Sequence, residues 1–127
     1  MGCGVAVLQD RNLLLIRRAR SPEAGCWSLP GGKVELWERT EEAARRETAE
    51  ELGVSLGALE LLCVVDYVAP EERAHWVSPT FLAKDFEGEP ALLEPEKHTG
   101  LGWFPLDALP SPLARSALEA AEILRSR

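Results

Sequence analysis

The stretch "GGKVELWERTEEAARRETAEELGV", Gly31 to Val54, decides how the rest of this chain is read. Its second half puts three glutamates, Glu47, Glu50 and Glu51, into five positions, behind Arg45-Arg46 and ahead of a glycine. Like charges repel, so the crowding needs a cause. Thr40 suits a helix N-cap, the alanines at 43, 44 and 49 with the Glu and Arg residues favour helix, and Gly53 stops it; a helix from Thr40 to about Leu52 follows. At about 3.6 residues per turn, Glu47, Glu50 and Glu51 stand at i, i+3 and i+4, which points them into one arc of roughly 100°. Ala44, Thr48 and Leu52 fill the next arc as an apolar stripe. The acids therefore flank the core side, where desolvation raises the cost of keeping three negative charges together.

Two readings stand at this point. One is a solvated helix face whose Glu/Arg pairs contribute a few tenths of a kcal/mol each. The other is a shelf for a hard divalent cation such as Mg²⁺, which prefers carboxylate oxygens, keeps several waters and takes further ligands from a substrate phosphate. Arg46 supplies one positive charge, but it points toward the far flank of the arc and has its own partner upstream in Glu38. The glycines shift the balance toward the cation. Gly31-Gly32 stands just before the loop that leads to the helix, and glycine there lets backbone N–H groups come close to an anion such as a pyrophosphate.

Outward from this stretch, Val5 to Gln9 and Leu13 to Arg18 read as two strands joined by the polar turn Asp10-Arg11-Asn12. "ARSPEAG" is a loop, and "CWSLP" is briefly extended because Leu29 precedes a proline. Leu59 to Ala69 reads as a long strand, and His75 to Phe86 as its partner, with Pro79 restricting it to a sheet edge or a bulge. "LGWFPLDALP" gives a short strand and a turn. Ser111 to Arg127 places Leu113, Ala117, Ala120 and Leu124 on one helical face. Strands, helix, strands, helix is the order expected of an α+β or α/β/α layered domain with a mixed sheet.

The 127 residues, 46% hydrophobic and 28% charged, suit one compact domain. Cys3, Cys26 and Cys63 are odd in number and lack CxxC spacing, so reduced thiols are expected instead of disulfides or a zinc knuckle. The opening "MGCGVA" misses the myristoylation pattern at Ala6, and neither a basic leader nor a membrane-length apolar run is present, so a cytoplasmic protein is expected. A net charge of -7 without a Lys/Arg run disfavours nucleic acid as a partner. An anionic ligand should be small and should come with a divalent cation.

Taken together, Gly32, Glu38, Arg46-Glu47, Glu50-Glu51 and Gly53-Val54 span 23 residues and resemble, in register, the signature box of the Nudix hydrolases. Two positions depart from it. Thr48 stands at an aliphatic site, where its methyl can still pack. Trp37 stands where the family commonly has glycine, which bears on the loop shape, the substrate entrance or a dimer contact. The resemblance implies that Glu47, Glu50 and Glu51, with Gly32 nearby, hold Mg²⁺ (or Mn²⁺ in its place) and that Glu38 braces Arg46. It also implies hydrolysis of a phosphoanhydride in a nucleoside diphosphate derivative, with Glu50 as the first candidate for the base and Glu47 the second.

The resemblance continues through most of the chain. Arg18 falls where some family members use an arginine on the substrate phosphates, with an exposed strand end at Arg17-Arg18 as the alternative; Lys33, a substrate-binding candidate, follows the glycines as in the mutator-type pyrophosphatases; and "EPEKH" falls where family nucleoside triphosphate pyrophosphatases supply a further carboxylate, with Glu96 the first candidate and Glu94 the second. Trp27, His75, Phe81 and Trp103 are candidates for a base platform, while His98 in its loop is less informative. The implied substrate is a nucleoside triphosphate split to monophosphate and pyrophosphate, acted on by a monomer or homodimer. A dinucleotide polyphosphate, a nucleotide sugar or another diphosphate keeps the same chemistry, and a binding module that keeps only the fold is the non-enzymatic alternative. Decapping of RNA is disfavoured by the absence of a basic surface.

Overall fold

A computed structural model describes residues 1–127. The apolar runs near the start, "VAVL" and "LLLI", are unbroken because both faces of their strands are covered. Strand β1 (Gly2–Gln9) sends Val5 and Val7 to one side and Ala6 to the other, and β2 (Asn12–Arg18) likewise divides Leu14 and Ile16 from Leu13 and Leu15. The two strands meet at a two-residue turn in which Asp10 and Arg11 have φ of 50° and 62°, the backbone sign of a type I′ hairpin.

The main sheet runs in the order β3 (Trp27–Ser28), β2, β1, β7 (Ala74–Ala83), β6 (Leu59–Ala69). In addition β4 (Gly31–Lys33) pairs with β1, and β9 (His98–Pro105) pairs with β2. The β1–β7 pair is parallel and the others are antiparallel, so the sheet is mixed. Helix α1 (Thr40–Leu52) packs Ala43, Ala44 and Leu52 on one face with Val5, Val7, Leu14 and Phe81. Helix α2 (Arg115–Arg125) packs Ala117, Ala120, Ala121 and Leu124 on the other with Ala6, Leu13, Leu15 and Leu82. The expected α/β/α layering is present.

Several boundaries differ from expectation. The helix N-cap is Arg39, not Thr40, and the Glu42 carboxylate accepts the Arg39 N–H at 2.8 Å. Strand β7 ends at Ala83, and Phe86–Glu87 forms a separate β8 against β5 (Ser55–Leu56). Pro79 lies opposite Val64 of β6, and pairing with β1 begins only at Thr80, so its missing N–H falls where β7 has a single neighbour, next to a β6 register shift between Leu61 and Cys63. Strand β9 starts at His98, ahead of Leu101. Helix α2 starts at Arg115, because the chain before it is bonded to Trp27: Trp27 donates to the Pro112 carbonyl and accepts from the Ala114 N–H. No helix is long and apolar enough to cross a membrane.

Candidate active site

The site begins where β4 lies between β1 and α1. A side chain at Gly31 would run into the Cys3 carbonyl, and one at Gly32 would run into the Glu47 carboxylate. Glycine at position 31 is thus required for close approach to a strand, and at position 32 it leaves the Glu47 carboxylate its seat. Thr48, buried, donates its hydroxyl to the Ala44 carbonyl at 2.8 Å and packs into the core as its methyl allows.

Arg46 is the hub of the acids. Its Nε and one terminal nitrogen donate to both oxygens of Glu38 at 2.8 and 3.0 Å. The other terminal nitrogen donates to Glu47 Oε1 at 2.9 Å and to Glu50 Oε2 at 3.2 Å. A further bond at 2.9 Å reaches the Lys33 carbonyl. Arg46 therefore does more than pair with Glu38; it also tames two of the three crowded glutamates. Its hydrogen bonds hold the Glu38 carboxyl below the usual carboxylate range. Burial pushes Glu47 up, against the opposing pull of Arg46, and burial pushes the neighbouring Cys3 thiol up to about 11.

The third acid departs from the expected common arc. Glu51 turns inward and is 5% exposed. Its Oε1 accepts the Gly31 N–H at 2.9 Å and its Oε2 lies 3.2 Å from Nε2 of His98. His98 is itself 4% exposed and is no bystander. Glu94, not Glu96, completes this cluster: ligand atoms of Glu51, Glu94 and His98 lie within 4.8 Å of one another, whereas Glu96 is exposed. The donor sets suit a hard cation. Arg46 engages one oxygen of Glu47 and one of Glu50, so each keeps an oxygen it does not bind.

Beside the acids opens a cleft of about 460 Å³. Gly2, Gly4, Ser78 and Thr80 keep its sheet side shallow, Trp76 and Tyr67 supply aromatic walls, and Arg18, Lys33 and Arg115 line it with positive charge. Gly31 and Gly32 border it as expected, and so do Arg18 and Lys33. The Lys33 ammonium sits 5.6 Å from the Trp76 ring centroid.

The expected base platform is elsewhere. Trp27 meets Phe104 edge-on at 5.0 Å, Phe81 is buried against α1, and Trp103 stacks on Phe86 at 5.7 Å. His75 is 61% exposed and sits 3.6 Å from Asp66. Strand phase explains the miss. On β7 the cleft side is Trp76, Ser78 and Thr80, so His75 and Phe81 necessarily face the opposite side. The alternation of an aromatic with two hydroxyl residues was the available signal.

A sheet between two helices, with a glycine turn and an Arg-bound acid pair at its edge, is the arrangement of the Nudix class. The chain belongs to the Nudix family: the NUDIX domain model matches residues 1–126. The crystal structure of MutT NUDIX hydrolase from Burkholderia pseudomallei superposes with a TM-score of 0.95 at 51% identity, over 97% of this chain and 95% of that one. CTP pyrophosphohydrolase of Escherichia coli is 36% identical over 93% of this chain and 87% of its own length. ADP-ribose pyrophosphatase of Methanocaldococcus jannaschii is 40% identical over 64% of this chain, which spans only 48% of that protein's length.

Proposed function

We propose that residues 1–127 form a single catalytic domain that, with Mg²⁺, hydrolyses a nucleoside triphosphate to the monophosphate and pyrophosphate. The observation that carries this is the contact between Gly32 and Glu47: a residue of the cleft wall touches one of the clustered acids. Glu47 and Glu50 would hold the cation beside Gly32, with Glu51 and Glu94 behind them. Bound there, the ion supplies neutralisation of phosphate charge and a lowered pKa for coordinated water.

The residues of the chain do the rest. Lys33, Arg18 and Arg115 draw the polyphosphate into the cleft, and Trp76 with Tyr67 gives a base a surface to stack on. A water oxygen bonds to phosphorus, the anhydride P–O bond breaks, and pyrophosphate leaves with the electron pair. The proton passes to a helix carboxylate. Glu47 takes precedence over Glu50 here, because Glu47 abuts the cleft wall, whereas Glu50 is 51% exposed.

The named activity of one relative, on CTP, agrees with this reading, while that of another, on ADP-ribose, favours one second reading, a nucleoside diphosphate sugar as substrate. The test is a panel of nucleoside triphosphates and ADP-ribose with Mg²⁺, with products read by ³¹P NMR. Pyrophosphate release from a triphosphate at the highest kcat/KM supports the first reading. Faster formation of a sugar phosphate, or release of orthophosphate alone, overturns it.

A further inference from the structure

We propose that His98 is a positioning residue for this site: its imidazole holds the Glu51 carboxylate turned inward on the Gly31 amide, tying the glycine strand to α1. Glu51 is a buried carboxylate, and such a group needs partners that replace its water. It has two, the Gly31 N–H at 2.9 Å and His98 Nε2 at 3.2 Å, and no Lys or Arg lies within 4 Å of it. Removing His98 leaves Oε2 of that carboxylate without this contact, in a cluster it shares with the Glu94 carboxylate.

The imidazole is held firmly enough to act this way. Leu93 N–H bonds to the Glu51 carbonyl and Ala91 N–H to the Leu52 carbonyl, each at 3.1 Å, so the segment ahead of His98 covers carbonyls that the end of α1 leaves free. His98 N–H bonds back to the Glu94 carbonyl at 3.1 Å, and across the sheet His98 pairs with Arg18, which lines the cleft. The ring's other nitrogen, Nδ1, is buried without a partner. That fixes the proton's place. A hydrogen on Nδ1 would be an unsatisfied buried donor, while Nε2 has a carboxylate oxygen 3.2 Å away.

The consequence is a division of labour among the three acids. Glu47 and Glu50 bond to Arg46, with Glu47 against the cleft wall at Gly32, while Glu51 spans from helix to strand and keeps Gly31-Gly32 seated against Glu47. The rate consequence rests on the pyrophosphohydrolase reading; the structural one does not.

The experiment combines ¹⁵N NMR of the parent imidazole with amide hydrogen exchange and kinetics on His98→Leu and His98→Gln, the latter retaining a donor. Expected are a protonated Nε2 and a bare Nδ1 in the parent. In His98→Leu, Gly31 amide exchange should quicken by about tenfold or more while Ala44 stays protected, with partial rescue in His98→Gln. With nucleotide, kcat should fall by about tenfold and KM should stay within about threefold. A proton on Nδ1, unchanged Gly31 protection, or Gly31 and Ala44 loosening together overturns the proposal. Should His98→Leu fail to fold, the parent spectrum and His98→Gln decide it. A parent that hydrolyses no nucleotide removes the proposed function but leaves the exchange result able to support or refute the lock.

Discussion

Replacing Gly32 with alanine puts a methyl group where the Glu47 carboxylate now sits. The obstacle is the far end of a flexible side chain, so the strain is relieved by moving the carboxylate and not by unseating β4. Reaching ordinary van der Waals separation requires a shift of roughly 1 Å. That shift loosens the 2.9 Å bond from Arg46 to Glu47, a partly solvated, charge-assisted contact of about 1 kcal/mol. For a domain of this size the Tm should fall by only about 3–5 °C. Catalysis should suffer far more, because misplacing a reacting group by about 1 Å lowers the rate by about 10²-fold. The assay is pyrophosphate release at saturating nucleotide and Mg²⁺, paired with a thermal melt. A folded Gly32→Ala protein with kcat within about threefold of the parent would refute the reasoning that Glu47 works from its seat against Gly32.

Other expectations follow from the same geometry. Arg46 holds the folded-state pKa of Glu38 below its ordinary 4.5, so the stability this pair contributes is present above that pH and lost as pH falls through the lower folded value; the Tm advantage of the parent over Glu38→Gln should shrink below about pH 4.5. Cys3, pushed up to about 11 from 9.0, keeps its proton in the folded state after the unfolded chain has lost it, so stability should decline between those values and Cys3→Ala should flatten the decline. Trp37 holds a φ of 71° while 91% exposed; Trp37→Gly should raise stability by up to about 1 kcal/mol in denaturant melts. Trp76→Ala should raise nucleotide KM by about tenfold with little change in Tm, whereas Trp103→Ala, which removes a ring packed on the core beside Phe86, should cost about 3 kcal/mol in the same melts.

What could be read from the sequence was whatever local spacing determines. The helix from Thr40 to Leu52, its Gly53 stop and the brace between Glu38 and Arg46 are all set within a single 16-residue stretch from Glu38 to Gly53, and each is present. The Trp37 departure also has a local explanation, since its left-handed φ is the conformation that glycine adopts without strain. What could not be read was long-range placement. Deciding between Glu94 and Glu96 depends on which one the 91–98 segment turns toward α1, and that is set by backbone bonds to Glu51 and Leu52. His98 looked like a loop residue because nothing nearby in sequence shows that it opens β9 beneath a helix acid. His75 and Phe81 lie away from the cleft because of strand phase: one position along β7 exchanges the cleft for the other face.

The crowded acids are resolved only in part by the protein itself. Around the single Arg46 guanidinium stand Glu35, Glu38, Glu47 and Glu50, all within 4 Å, four negative charges to one positive. Glu38 takes two of the guanidinium's donor bonds and Glu47 and Glu50 one each, so a single positive charge is shared and Glu47 and Glu50 remain undercompensated. The cleft beside them is lined by Arg18, Lys33 and Arg115 against a single acid, Glu23, so its own wall is net positive. A polyphosphate entering alone would be attracted by that wall and repelled by the acids. Placed between phosphate and carboxylates, a divalent cation removes the repulsion and makes both attractive, so affinity for the nucleotide and for the metal must rise together.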